Sequence, residues 1–355
     1  MPFDTTISPA HYARDMRPFR PLALWLLCVA GMVWVMVALG GATRLTGSGL
    51  SIMEWAPLSG FLPPLSEAEW ARLYDLYRTI PQYELVNRGF GLEGFKRIFW
   101  LEWLHRFWGR LIGLVYAAGL VWFWFRARLS RGMRVRLVVM LALGGMQGAI
   151  GWFMVASGFE ADRTTVSPYR LVLHLGLALV LYGMLLWTAL ILLRPALAAS
   201  GADNRLRRWL CLAAGLAFAT MLAGGFVAGM RAGLDYNSFP LMAGRLIPEG
   251  YWNSLLAWRN MTENIAAVQF NHRILATATL AVIGLLAWRC VRLPAGHPMR
   301  IVALGFCASV ALQYGVGVAT LLALVPVWLG TLHQTMAVLV LTTALVALHR
   351  SRMPA

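Results

Sequence analysis

The chain has 355 residues, 59% of them hydrophobic and only 13% charged. Its mean hydropathy is +0.64, and soluble domains carry about 25% charged residues, so a water-soluble globular fold is excluded. The formal net charge of +16 would suit nucleic acid, but the placement of the arginines excludes that partner too.

Eight stretches approach the roughly 20 apolar residues needed to cross a hydrocarbon core: 21–41, 98–125, 135–156, 168–193, 208–229, 264–288, 300–322 and 327–348. The expected fold class is an all-α polytopic membrane protein. Arg14, Arg17 and Arg20 precede the first span, and Arg126, Arg128, Arg131, Arg134 and Arg136 join the second to the third. Arg194, Arg205, Arg207 and Arg208 join the fourth to the fifth, and Arg289, Arg292 and Arg300 the sixth to the seventh. Arg350 and Arg352 close the chain. These alternate connections hold 17 Arg and three acids (Asp4, Asp15 and Asp203), whereas the opposite ones hold 11 basic and 11 acidic residues. The positive-inside rule therefore places both termini in the cytoplasm. The mostly polar leader and the length of the first span do not fit a cleavable signal, and Asp4 and Asp15 do not fit a mitochondrial transit peptide. A bacterial inner membrane is the expected location. Cys28, Cys211, Cys290 and Cys307 lie in or beside spans and read as small packing residues rather than an outer disulfide.

Taken in chain order, the first span ends in Gly40-Gly41-Ala-Thr-Arg44-Leu-Thr-Gly-Ser-Gly49. The connection that follows, about 42–97, is long enough to need structure or function of its own. Within it Ser66-Glu-Ala-Glu69 is a capping box, followed at helical spacing by Trp70, Leu73, Tyr74 and Tyr77. This predicts a short amphipathic helix, either lying on the outer interface or covering the bundle. The second span carries Glu102-Trp-Leu-His105-Arg106, the third Gln147-Gly148-Ala-Ile-Gly151 and the fourth Leu173-His174.

The second half repeats this pattern. Gly224-Gly225 and Arg231 end the fifth span, Gln269-Phe-Asn-His272-Arg273 lies in the sixth, Gln313-Tyr-Gly-Val-Gly317 in the seventh and Leu332-His333 in the eighth. Four spans is an even number, so the halves share one orientation about an axis along the membrane normal. The expected organisation is two tandem four-helix bundles, residues 1–200 with the long outer loop and residues 201–355.

His105, His174, His272 and His333 each fall about seven to nine residues past the expected start of a helix running from outside to inside. At 1.5 Å per residue that is about 10–14 Å deep, in the outer half of the bilayer. A single such histidine serves equally well as an interhelical hydrogen-bonding group, but four at one depth, paired by a repeat, point to ligation. His11, His297 and His349 have no such partner. A bare metal site needs three or four His, Cys or carboxylate ligands, whereas two imidazoles complete an iron porphyrin. Gly109, Gly113, Gly148 and Gly151 offer room for a flat macrocycle, or close helix packing. Glu102 shares a helix face with His105, and a carboxylate within a span is a functional candidate, although it also suits an i,i+4 pair with Arg106. A purely structural partner for the arginine would be expected in both halves, and the sixth span has Gln269 there, which favours chemistry at Glu102. Arg44 and Arg231 are candidate partners for haem propionates, or interfacial anchors.

These motifs together resemble the haem A synthase family over nearly the whole chain: G-G-A-T-R-L-T-G-S-G-L-S from Gly40, E-W-L-H-R from Glu102, Q-G-A-I-G-W from Gln147, H-L-G-L-A from His174, N-H-R from Asn271 and L-H-Q-T-M-A from Leu332. The form is that of the proteobacterial and mitochondrial branch, lacking the outer-loop cysteine pair of some other bacterial members. The resemblance implies an oxidoreductase that converts a ring methyl of farnesylated haem O to a formyl group, giving haem A for terminal oxidases. It implies a haem b cofactor on His272 and His333, substrate haem O on His105 and His174, and a catalytic Glu102 that stabilises positive charge or moves protons. An electron acceptor must exist and no residue names it. Haem O synthase, oxidase assembly factors and a second copy of the chain are compatible partners. The residues by themselves also fit a two-haem electron-transfer cytochrome, for which the halves should be alike, and a haem carrier.

Overall fold

The computed structural model describes residues 19–57, 59–161, 163–193 and 204–352. Arg14, Arg17, Arg194 and the three acids on the arginine-rich side fall outside these residues. Eight helices are long and apolar enough to cross a membrane, so the chain is a multi-pass membrane protein. In our numbering the spans are α1 (Arg20–Leu45), α4 (Leu92–Arg126), α5 (Arg131–Ala156), α6 (Pro168–Leu193), α7 (Asn204–Gly229), α9 (Ile265–Val291), α10 (Pro298–Leu322) and α11 (Val327–Arg350). Short helices α2 (Glu67–Tyr77), α3 (Pro81–Leu85) and α8 (Asn260–Glu263) lie in the connections. No strand occurs among the described residues, and the only pairing of that kind is an isolated bridge between Met242 and Arg245.

Each group of four spans closes on itself. In the first, α1 touches α4 and α6, and α5 bridges α4 and α6; in the second, α7 touches α9 and α11, and α10 bridges those two. The groups meet through α1, α6, α7 and α11. One apolar core, including Leu26, Leu137, Tyr182 and Leu185, reaches across to Val338 and Leu341 of α11. A second, around Leu210, Leu286 and Phe306, holds Cys290 and Cys307. Those two cysteines pack as expected, whereas Cys28 and Cys211 are exposed on their helices. Inside lipid the apolar effect no longer favours one helix partner over another, so interhelical hydrogen bonds help to fix the pairing. Trp34 Nε1 donates to the Thr335 carbonyl at 2.9 Å, Gln334 Nε2 to Val37 O at 3.2 Å, and Tyr182 shares a 2.6 Å bond with Thr342.

The expected amphipathic helix is α2, and it covers the bundle. Ser66 caps it by accepting from the Glu69 amide at 3.2 Å. Its buried face, Trp70, Leu73 and Tyr77, packs on Phe95 and Phe99. Both phenylalanines belong to α4, whose 35 residues span about 52 Å at 1.5 Å each, well beyond a hydrocarbon core of roughly 30 Å. The extra turns explain one difference from expectation. His174, His272 and His333 sit six or seven residues into their helices, but His105 lies 13 residues into α4 because that helix begins early, at Leu92.

Candidate functional site

Four half-buried histidines stand on α4, α6, α9 and α11, and each ring lies against a glycine of a neighbouring span. A Cβ added at Gly40 would sit 3.2 Å from His105 Nε2, one at Gly151 2.9 Å from His174 Cε1, one at Gly224 3.0 Å from His272 Cε1 and one at Gly317 2.8 Å from His333 Cε1. Any side chain larger than hydrogen would push the imidazole aside. The contact is therefore made four times, twice per group of spans, between spans that are consecutive in sequence. Of the glycines singled out as making room, Gly151 touches a ligand candidate, while Gly113 and Gly148 face open space; Gly109 instead packs against Met36. Gly40, Gly224 and Gly317 make the same kind of contact, and the signal for them was the register of the repeat, which aligns Gly40 with Gly224 and Gly151 with Gly317.

His105 and His174 stand in the first group of spans, and His272 and His333 in the second. Gln147 Nε2 donates to the His174 carbonyl at 3.0 Å and lies 3.2 Å from His174 Nδ1, and Gln313 Nε2 donates to the His333 carbonyl at 2.9 Å. These glutamines hold the helical turn that carries each histidine. No group of three or more His, Cys, Asp and Glu side chains that could hold a bare metal ion occurs among the described residues. Two histidines without further protein ligands, beside backbone stripped of side chains, fit a planar group that brings its own equatorial nitrogens.

Glu102 is buried, 2% exposed, and its carboxylate is fully engaged. Oε2 accepts from the Ser51 amide (2.7 Å), the Ser51 hydroxyl (2.7 Å) and the Ile52 amide (2.9 Å). Oε1 accepts from Arg106 Nε (3.0 Å) and Nη2 (2.6 Å). Arg106 then donates to the carbonyls of Glu54 (2.8 Å) and Ile52 (2.7 Å). The pair thus moors the segment 51–54 to α4, three residues above His105. The counterpart in α9 also pairs with its arginine, so a structural partner does recur in both halves, which weakens the contrast drawn from Gln269. Arg273 Nη2 donates to Gln269 Oε1 at 3.0 Å and, with Nη1, to the carbonyls of Tyr236 and Ser238. Gln269 Nε2 donates to Ala232 O at 2.6 Å and Tyr236 O at 3.3 Å. The mooring is common to both halves, and its polarity differs: the loop offers N–H and O–H donors to Glu102 but carbonyls to Gln269.

Arg44 and Arg231 meet at the junction of the halves. Arg44 Nη1 donates to the Ala228 carbonyl of α7 at 3.0 Å, and the two guanidiniums are near enough to repel. Arg231 is exposed and held at φ +55°, a left-handed conformation that costs a side-chain-bearing residue energy. Neither forms a salt bridge with a carboxylate among the described residues. His349 lies elsewhere, beneath Trp187 at a ring distance of 5.5 Å.

The sequence profile of the COX15-CtaA family of cytochrome oxidase assembly proteins matches residues 23–345. The chain belongs to this family. It is 55% identical to the haem A synthase of Granulibacter bethesdensis over 93% of this chain and 87% of that protein. It is 50% identical to that of Rhodospirillum centenum (94% and 89% covered) and 46% identical to that of Caulobacter vibrioides (94% and 97% covered). The matched span takes in all four histidines, Glu102 and both junction arginines.

Proposed function

We propose that the chain is a haem A synthase of a bacterial inner membrane, an oxidoreductase that oxidises a ring methyl of haem O to a formyl group. The observation that carries this reading is the fourfold glycine–histidine contact in a family member, two imidazoles to each half. In this reading residues 1–200 hold substrate haem O between His105 and His174, and residues 201–355 hold a haem b cofactor between His272 and His333. Bound haem supplies the redox-active iron. The protein's own residues orient and insulate: the glycines at 40, 151, 224 and 317 set the imidazole planes, Gln147 and Gln313 brace their helices, and α2 covers the outer end of the first half. Arg44 and Arg231 neutralise propionates at the junction.

Glu102 acts here as a fixed negative charge close to His105. A carboxylate has about four lone-pair positions, and five donors already occupy them, which favours stabilisation of developing positive charge over carriage of a proton. Passing from methyl to aldehyde removes four electrons, so a separate electron acceptor takes part. The termini and the arginine-rich connections face the cytoplasm, which puts the histidines toward the periplasmic side.

Expression in a bacterium that makes haem O but no haem A tests the reading, with extracted haems resolved by chromatography and mass spectrometry. Formyl haem is expected from the native chain and is lost from Glu102→Ala. Formyl haem persisting in that variant would reduce Glu102 to a mooring. Two unmodified haems per chain would instead support the electron-transfer cytochrome, which the likeness of the two sites also fits.

A further inference from the structure

The two halves also differ at the seam between their second and third spans. On α5, Gly144, Gly148 and Gly151 share one face by their spacing, and the last of them touches His174. Gly144 and Gly148 have no neighbour within 4 Å of where a Cβ would stand, and neither does Gly113, two turns beyond His105 on α4. In the register set by Gln147/Gln313 and His105/His272, these positions correspond to Val310, Tyr314 and Leu280. Val310 is 6% exposed and part of the second core. Tyr314 reaches from α10 to α9, its hydroxyl 3.1 Å from Thr277 Oγ1, and the ring of Phe239 meets it edge-on at 6.2 Å. The residue matching Thr277 is Arg110, which turns away from the seam and donates to the carbonyls of Ala56 and Pro57. The seam is thus latched in the second half and bare in the first. Burial follows the same contrast: α5 buries only Leu137 and Met140, whereas α10 buries seven residues.

Building on the proposed substrate assignment, we propose that the isoprenoid tail of the haem held by His105 and His174 lies in the α4–α5 seam over Gly148 and Gly144. The Tyr314–Thr277 latch closes the corresponding seam, so the second half accepts only a haem without a tail. The geometry suits an apolar chain. From Gly151 to Gly144 the seam runs about 10 Å along the helix axis, begins at the imidazole and opens sideways to lipid, where a prenyl chain loses little by leaving the protein. The glycines take no part in iron ligation; they set which of two nearly identical macrocycles fits.

The test uses the full chain purified from cells that make both haem b and haem O, and reads haem content per chain rather than activity. Gly148→Tyr should lose at least ten-fold of its tailed haem (haem O plus any formyl product) while keeping native haem b, which also reports correct folding. His174→Ala, which disables the first site, should carry almost no tailed haem, and adding Tyr314→Gly should restore it to the second half. Tailed haem within two-fold of native in Gly148→Tyr, with haem b intact, overturns the proposal. Should that variant lose haem b as well, the Tyr314→Gly arm decides, and absence of tailed haem there overturns it. A native chain that binds haem b but no tailed haem would defeat the substrate assignment itself, an outcome distinguishable from failure of the seam.

Discussion

At the scale of single residues, the mooring of the outer loops shows how one atom type sets the sign of an interaction. Glu102 and Gln269 are nearly the same shape, yet the groups facing them are opposite in polarity. Glu102→Gln would turn an N–H donor, or at best a weaker neutral acceptor, toward the Ser51 and Ile52 amides and leave Arg106 without its charge. Breaking a buried pair in this way costs about 3–5 kcal/mol, which thermal unfolding of the purified protein should register. Gln269→Glu sets a carboxylate against the carbonyls of Ala232 and Tyr236, and should destabilise although it makes the halves more alike. The glycine contacts give a second prediction. Gly317→Ala places a carbon 2.8 Å from the His333 ring, so this variant should lose haem b from the second half, seen as halved haem absorbance, while the first half stays competent. Gly109→Ala, which meets only the flexible end of Met36, should retain both haems.

At the scale of elements, α2 is held to the bundle by its apolar face and by a small ionic cluster. Arg72 bonds Glu54 through two contacts of 2.9 and 2.8 Å and Glu69 through two of 3.0 and 2.8 Å. Its hydrogen bonds hold both carboxyls below the ordinary value of 4.5. A carboxylate whose pKa is lower folded than unfolded stabilises the fold above the unfolded pKa, and that contribution disappears as pH falls through the folded value. Docking of α2, followed by Trp70 fluorescence or protease resistance, should therefore be flat from pH 8 to about 5 and weaken in more acid solution. The three side chains are 42–46% exposed, so the effect is small and screened by salt. Arg72→Ala should abolish the pH dependence. Because Glu54 also offers its carbonyl to Arg106, the loop links α2 to the Arg106–Glu102 pair.

At the scale of the whole molecule, the spans were legible because lipid leaves a chain few options: backbone polar groups must be satisfied within each segment, so long apolar runs become helices. The early start of α4 was not legible, since Leu92–Lys96 is too polar to read as a span and is helical through contact with α2. The four histidines stood out as candidates because the repeat sets them at matching positions. What each ring touches could not, because a glycine leaves no mark of whether it admits an imidazole, a neighbouring helix or a ligand. The role of Glu102 was half legible: its pairing with Arg106 follows from i,i+4 spacing, but its three donors from Ser51 and Ile52 lie some fifty residues away. Orientation gives a prediction at this scale. Reporter fusions should show the C-terminus and the 126–131 turn in the cytoplasm and residue 66 in the periplasm, and the reverse pattern would move the histidines to the other leaflet.

The meeting of Arg44 and Arg231 makes the halves answer to each other. Two like charges held side by side raise the energy of the folded chain, and an anion drawn to either one relieves the strain on both. In the proposed reading, an anionic group held in one half therefore leaves less repulsion to relieve when the other half fills. Such coupling is reciprocal by thermodynamic necessity: whatever attraction a resident group in the second half takes from an incoming one in the first, the arrival of that group takes equally from the resident.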